Sequence, residues 1–251
     1  MKTLLALLKR ELLEHSSIWK VPMLMLVVGI LVKLSLSFGN LSVNVNAPDF
    51  LNLDQTVDNA VDGVLIRTLW AVNWLISFVM IVVAAFYALA CLYTERQDES
   101  VLFWRSLPIS DSVTVASKLI VALAVIPLLI IVCHMLISLI FLGSASFSYL
   151  QHSIPLSVLS TLKMIAWLLL PLTAWCMLCS AVANKAPFLM AFIAPIILVI
   201  VDSLFFEIGF GSLILDRFNS NNHDSLLLLG TGIALSVVCI CFAVVKRSQR
   251  I

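Results

Sequence analysis

Residues 69–93 read LWAVNWLISFVMIVVAAFYALACLY, and residues 94–111 continue as TERQDESVLFWRSLPISD. The first stretch is apolar, uncharged and longer than the roughly 20 residues a helix needs to cross hydrocarbon. The second is charged, aromatic and interrupted by Pro108. Working outward, five more apolar runs appear, near Val21 to Phe38, Leu119 to Leu142, Pro155 to Ala183, Phe188 to Phe206 and Leu226 to Val245. They are continuous rather than alternating in polarity, so they predict helices and not the strands of a barrel. With 62% hydrophobic and 12% charged residues and a mean hydropathy of +1.11, the composition is that of an all-α integral membrane protein.

The net charge of +1 hides an asymmetry. Lys2, Lys9, Arg10, Lys20, Arg96, Arg105, Lys118, Lys185, Lys246, Arg247 and Arg250 fall on one side of the six runs. Only Lys33, Arg67, Lys163 and Arg217 fall on the other. The positive-inside rule therefore predicts cytoplasmic termini and a cytoplasmic 94–117 segment. Lys9, Arg10 and Glu11 cut the first leucine-rich stretch short and no small-residue cleavage site follows, so it is read as retained rather than as a signal peptide.

Several segments outside the runs carry expectations. Thr3 to Trp19 reads as an amphipathic helix, with Leu5, Leu8, Leu12 and Trp19 on one face and Arg10, Glu11 and Glu14 on the other. It is expected to lie in the interface over residues 1–20, with Pro22 marking the turn into the membrane. Asp54, Asp58 and Asp62 recur every fourth residue and read as a solvated acidic face, since the glycine-containing calcium loop is absent. Residues 206–225 are too apolar for a free loop and too short for a span, which predicts interfacial or re-entrant helices. Asn184 to Pro187 forms a turn so tight that the fourth and fifth runs must be antiparallel neighbours. No repeat or soluble insert is visible, so residues 1–251 read as one transmembrane domain.

The sequence has no phosphate-binding loop, no zinc helix and no nucleophile elbow, which argues against a self-contained enzyme. Cys176 and Cys179 have dithiol spacing, but all six cysteines fall inside predicted spans and read as small packing residues. The histidines share no ligand spacing, so no metal is assigned. His134 lies within the third run and reads as a packing residue. Lys33, Lys163 and Asp202 lie toward the outer ends of the first, fourth and fifth runs, where a Lys–Asp pair or snorkelling to the headgroups is expected.

In the 94–117 segment, Glu95, Arg96, Asp98 and Glu99 form a charged turn, and Val101 to Trp104 supply an apolar face. Ser110 or Asp111 is placed to cap the next helix. On the residues alone, a partner's groove and a lipid surface suit this face equally. The stretch Thr94 to Asp111, followed by Val115-Ala116-Ser117-Lys118, resembles the coupling segment of the permease subunits of ABC transporters of the type 2 exporter superfamily. Their pattern also includes an N-terminal elbow helix, six spans with both ends inside, and short re-entrant helices between spans five and six. The topological likeness covers the whole chain; the motif likeness covers only about Tyr93 to Lys118.

The resemblance implies a bacterial inner-membrane exporter with two permease chains, most simply a homodimer, and two cytoplasmic ATPase subunits. ATP and Mg would be held by the ATPase and no cofactor by this chain; nucleic acid is not among the implied partners, and membrane lipids are. Glu95, Arg96, Asp98, Glu99 and Arg105 would meet the ATPase electrostatically, with Phe103 and Trp104 as anchors. The cargo is left open among lipid, peptide, drug and polysaccharide. Two alternatives share part of the evidence. One is an ATP-independent carrier or channel, for which Pro127, Pro171 and Pro195 would break helices at mid-membrane. The other is a nontransporting anchor for a soluble partner.

Overall fold

Hydrocarbon offers no water to a backbone N–H or C=O, so each apolar run has to close its hydrogen bonds internally. The computed structural model describes residues 2–38, 60–98, 110–142, 158–183, 185–206, 211 and 226–249. Its regular structure is helical, and no strand occurs among the described residues. Six helices are long and apolar enough to span a membrane: Ser17–Ser35, Arg67–Gln97, Ser112–Phe141, Val158–Val182, Pro187–Phe205 and Leu229–Arg247. The chain is a multi-pass membrane protein, as its hydropathy predicts. The acidic stripe's side chains, most of 206–225 and all of 99–109 lie outside the described residues.

The N-terminal region departs from the expected single helix. Lys2–Glu14 is one helix, the chain breaks at His15 and Ser16, and Ser17–Phe38 begins the first span. Trp19 thus belongs to the span, and Pro22 lies inside that helix rather than at a turn. Two adjacent serines favour a helix start over a helix interior. Pro22, early in the helix, removes a single backbone bond.

The chain packs as two compact units. The first comprises Met1–Ser16, Val82–Pro127 and Thr161–Ile251. Within it the sixth span lies along the fourth. Gly232, Ser236, Cys239 and Ala243 form the buried stripe of the sixth span, small residues that let two helices approach closely. The second unit comprises Ser17–Ile81 and Leu128–Ser160. Here Leu69, Val72, Ile76 and Met80 of the second span are buried, as are Ile130, Cys133, Ile137 and Phe141 of the third. Gly29 of the first span sits so close to the third that a Cβ there would collide with Ile137 Cδ1.

Three intramembrane prolines show how broken backbone bonds are absorbed. A proline donates no N–H and crowds the carbonyl four residues earlier. For Pro127 and Pro171 those carbonyls belong to Leu123 and Trp167, and the helix widens into a π-turn around each, over Val121–Val125 and Ile165–Leu169. Such a turn shifts the ladder by one residue and relieves the collision. Pro195 lies inside the α-helix Pro187–Val201. The carbonyl it orphans is that of Ala191, and this oxygen accepts the Trp175 indole Nε1–H at 3.1 Å. All three spans continue through their prolines instead of breaking.

Trp175→Phe keeps an aromatic ring and removes that donor. It is expected to lower stability by about 1 kcal/mol, the net value of one hydrogen bond. On a Pro195→Ala background, where the restored backbone N–H serves the Ala191 carbonyl, the same change is expected to be nearly silent. Thermal melts of the four proteins in detergent check the cycle; additive effects would show that the indole is not replacing the missing backbone donor.

Candidate functional site

Four segments of the first unit converge on one group of charges. The N-terminal helix turns Leu7 and Glu11 inward, one helical turn apart, leaving them 5% and 1% exposed. The second span ends with Tyr87 and Cys91 buried, and the short helix Tyr93–Gln97 carries Glu95 inward at 2% exposure. The helix Asp111–Ile120 buries Thr114, Val115, Ser117 and Lys118. The sixth span ends with Arg247, in line with its small-residue stripe at helical spacing.

Lys118 Nζ donates to Glu11 Oε1 at 2.7 Å and stands 3.1 Å from Glu95 Oε1. Glu95 also receives Arg10 Nη2 at 3.1 Å and faces Arg247 Nη1 at 3.1 Å through its other oxygen. The Tyr87 hydroxyl donates to Glu11 Oε2 at 3.1 Å. At the rim, Arg10 also pairs with Glu14 at 3.2 Å. Among the described residues, three cations thus face three carboxylates, two of them almost completely buried. Either buried carboxylate alone would cost several kcal/mol to bury. Together with their donors they hold three helix ends and the N-terminal helix in one register.

His15 completes the margin of the cluster. Its ring meets Tyr87 edge-on at 4.9 Å, and Nε2 lies 4.0 Å from Glu11 Oε2 without a hydrogen-bond partner. Burial holds its pKa below the ordinary imidazole value, against the pull of Glu11 and with some help from Lys118.

Arg96 has a separate task. Its Nη2 donates to the Ser180 carbonyl and, at 2.9 Å, to that of Ala183. These lie at the C-terminus of Leu170–Val182, where carbonyls lack helical partners and the helix dipole favours a cation. Ser180 Oγ in turn accepts the backbone N–H groups of Leu92 and Tyr93, at 3.2 and 2.9 Å. The Tyr93 hydroxyl donates to the Lys185 carbonyl at 2.8 Å. The start of the 94–117 segment is therefore sewn to the end of the fourth span.

The residues singled out in the sequence separate accordingly. Glu95 and Arg96 face inward and serve the protein's own interior, whereas Asp98 is exposed. Glu99, Phe103, Trp104 and Arg105 lie outside the described residues. In the second unit, Lys33 Nζ donates to the Ile140 carbonyl and, at 3.1 Å, to that of Phe141, the C-terminal carbonyls of Ile126–Leu142. Its partners are thus backbone oxygens. In the first unit Lys163 is exposed, while Asp202 is 5% exposed at the start of the π-turn Asp202–Phe206. The cysteines are free, and all but Cys241 are buried. Among the described residues no group of His, Cys, Asp and Glu side chains is arranged to hold a metal.

The reading of Glu11 as part of a water-facing polar stripe is corrected by its burial, and Trp19, placed on the apolar face, is 46% exposed. The inward line is Leu7 and Glu11 because Lys118 and Tyr87 supply Glu11 with donors. A helical-wheel reading sorts residues by polarity alone and has no means of seeing a partner more than a hundred residues away. The available signal was that Glu11, Glu95 and Lys118 each adjoin an apolar run on the same predicted side of the membrane.

Two outcomes follow from this geometry. Glu95→Gln, which leaves Arg10, Lys118 and Arg247 facing an uncharged amide, is expected to cost about 3–5 kcal/mol of stability, read as a large fall in detergent melting temperature; a change within error would remove Glu95 from the centre of the cluster. Because His15 resists protonation when folded, the unfolded chain takes up its proton first, so stability falls as pH drops below about 6.5 and until the folded imidazole also protonates. His15→Gln should flatten that part of the melting-temperature profile, and an unchanged slope would exclude His15 as its source.

Compared with known proteins, the chain matches no family model, no curated protein and no solved structure.

Proposed function

We propose that this chain is the membrane-spanning subunit of an ATP-driven exporter, working beside a second permease chain and moved by a separate cytoplasmic ATPase. The observation that carries the proposal is the anchoring of the 94–117 segment at both ends. Glu95 and Arg96 fix its start, through Arg10, Lys118, Arg247 and the end of the fourth span. Lys118 fixes the stretch just beyond it, through Glu11 and Glu95. A loop that merely connected two spans would need no such root. A loop that transmits a push does, because force delivered between residues 98 and 110 then reaches the N-terminal helix and the second, third, fourth and sixth spans as rigid bodies.

The division of labour differs from the one the sequence resemblance implies. Glu95 and Arg96 are structural anchors, and contact with the ATPase passes to exposed Asp98 and to Glu99, Phe103, Trp104 and Arg105. Six spans, the cation-rich face that would lie in the cytoplasm, and the lack of a phosphate-binding loop in this chain all support a borrowed ATPase. ATP and Mg would be held by that partner. The cargo is a molecule handled at the membrane, within the range of lipid, peptide, drug or polysaccharide.

Asp98→Lys combined with Trp104→Ala is expected to leave the melting temperature near wild type while abolishing co-purification of an ATPase from the native host. Glu95→Gln should instead lower stability before it affects binding. Full retention of the ATPase by the double variant, or its absence from wild-type preparations in mild detergent, would overturn the reading.

A further inference from the structure

We infer that the helix Lys2–Glu14 is a latch released by a proton: it stays docked on the charge cluster while His15 is neutral and comes away as His15 becomes an imidazolium. His15 stands at the joint. Its backbone N–H makes the last bond of that helix, to the Glu11 carbonyl at 3.0 Å, and only Ser16 separates it from Ser17–Phe38. The N-terminal helix is thus a short rigid piece joined to the first span through His15 and Ser16 alone.

The cluster's charges divide unevenly across the docking seam. Arg10, Glu11 and Glu14 belong to the helix and leave with it, one cation with two carboxylates. Glu95, Lys118 and Arg247 stay behind, one carboxylate with two cations. While His15 is neutral, an excess of negative charge therefore faces an excess of positive charge, and the helix is held. A proton on His15 sits on the helix side and cancels its excess. Each side also keeps partners of its own: Arg10 retains Glu14 at 3.2 Å, and Glu95 retains Lys118 and Arg247, both at 3.1 Å. What is given up are the bonds of Lys118 and Tyr87 to Glu11 and of Arg10 to Glu95.

The docked arrangement has no partner for the extra charge. Glu11 and Glu14 act on His15 from its own helix, Tyr87 from the second span, Glu95 from Tyr93–Gln97 and Lys118 from Asp111–Ile120. Nε2 is 4.0 Å from Glu11 Oε2, beyond hydrogen-bond reach, and that oxygen already accepts from Tyr87. Burial outweighs the attraction of Glu11, so the docked ring resists a proton that a released ring accepts below about pH 6.5. The proton binds the released state more tightly, and acid therefore favours release. Release takes Arg10 from Glu95 and Glu11 from Lys118, which loosens the root of the 94–117 segment.

The test is hydrogen–deuterium exchange of the full-length protein in phosphatidylcholine nanodiscs at pH 7.5 and 5.5, beside His15→Gln. The variant shares every other titrating group, so the ratio of wild-type to variant exchange isolates His15. In Lys2–Glu14 that ratio is expected to rise as pH falls, by at most about tenfold per pH unit, the limit for one proton. In Ile126–Leu142 and Leu170–Val182 it is expected to stay level. Glu11→Gln, which removes the helix's charge on Lys118 and leaves Glu95 beside it, should raise exchange in Lys2–Glu14 at both pH values and show how a released helix reads. A level ratio in Lys2–Glu14, an equal rise in the other two helices, or full protection of Lys2–Glu14 in Glu11→Gln would each overturn the proposal. No ATPase is present, so the result bears on the latch whatever becomes of the exporter reading.

Discussion

The placement of Lys118 between Glu11 and Glu95 is the interaction on which the first unit depends. A buried ammonium is tolerated only where carboxylates hold it, and each of those carboxylates is tolerated only because of its cations. The requirement is mutual, so it fixes geometry more strongly than it adds stability. A hydrophobic substitute for the whole group would pack as well, but would not specify which helix end meets which. The N-terminal helix, the root of the 94–117 segment and the end of the sixth span share one register because their charges cannot be separated.

Cations at helix C-termini form a second device, seen in both units. Arg96 satisfies carbonyls at the end of the fourth span, and Lys33 does the same for the third. Both replace partners that the helix itself cannot supply. Lys33 illustrates why an ionisable residue near a span end does not by itself mark a transport pathway. Backbone oxygen is the commonest acceptor in a membrane protein, and at a helix end it is already waiting for a donor.

The six spans were legible because hydrocarbon thickness imposes a length and an apolarity on each, and both can be read directly. The break at His15 and Ser16 was missed because Trp19 continues the apolar spacing of Leu5, Leu8 and Leu12 across it. The inward turn of Glu11 was missed for a different reason: its partner Lys118 is distant in sequence, and polarity alone argued for the opposite face. Glu95 and Arg96 stood out correctly as unusual charges beside an apolar run. Their neighbours within the chain are Lys118, Arg247 and Ser180. His134 was visible as a lone histidine in a span, but nothing local indicated that Asn73 and Ser77 would meet it. The prolines were visible, yet whether each would break a helix, widen it or borrow a donor depended on its three-dimensional neighbours.

The bond from Trp175 to the Ala191 carbonyl bears on how the protein enters the membrane. Until the fourth span lies alongside, the fifth carries a carbonyl orphaned by Pro195 into a medium with no donors. The turn between these spans is too short for either to wander. Insertion of the two as a helical hairpin brings the indole to the carbonyl as both cross, so the defect is repaired during biogenesis rather than after it. The fifth span, most of whose surface faces outward from its unit, thus reaches the bilayer already matched to one neighbour.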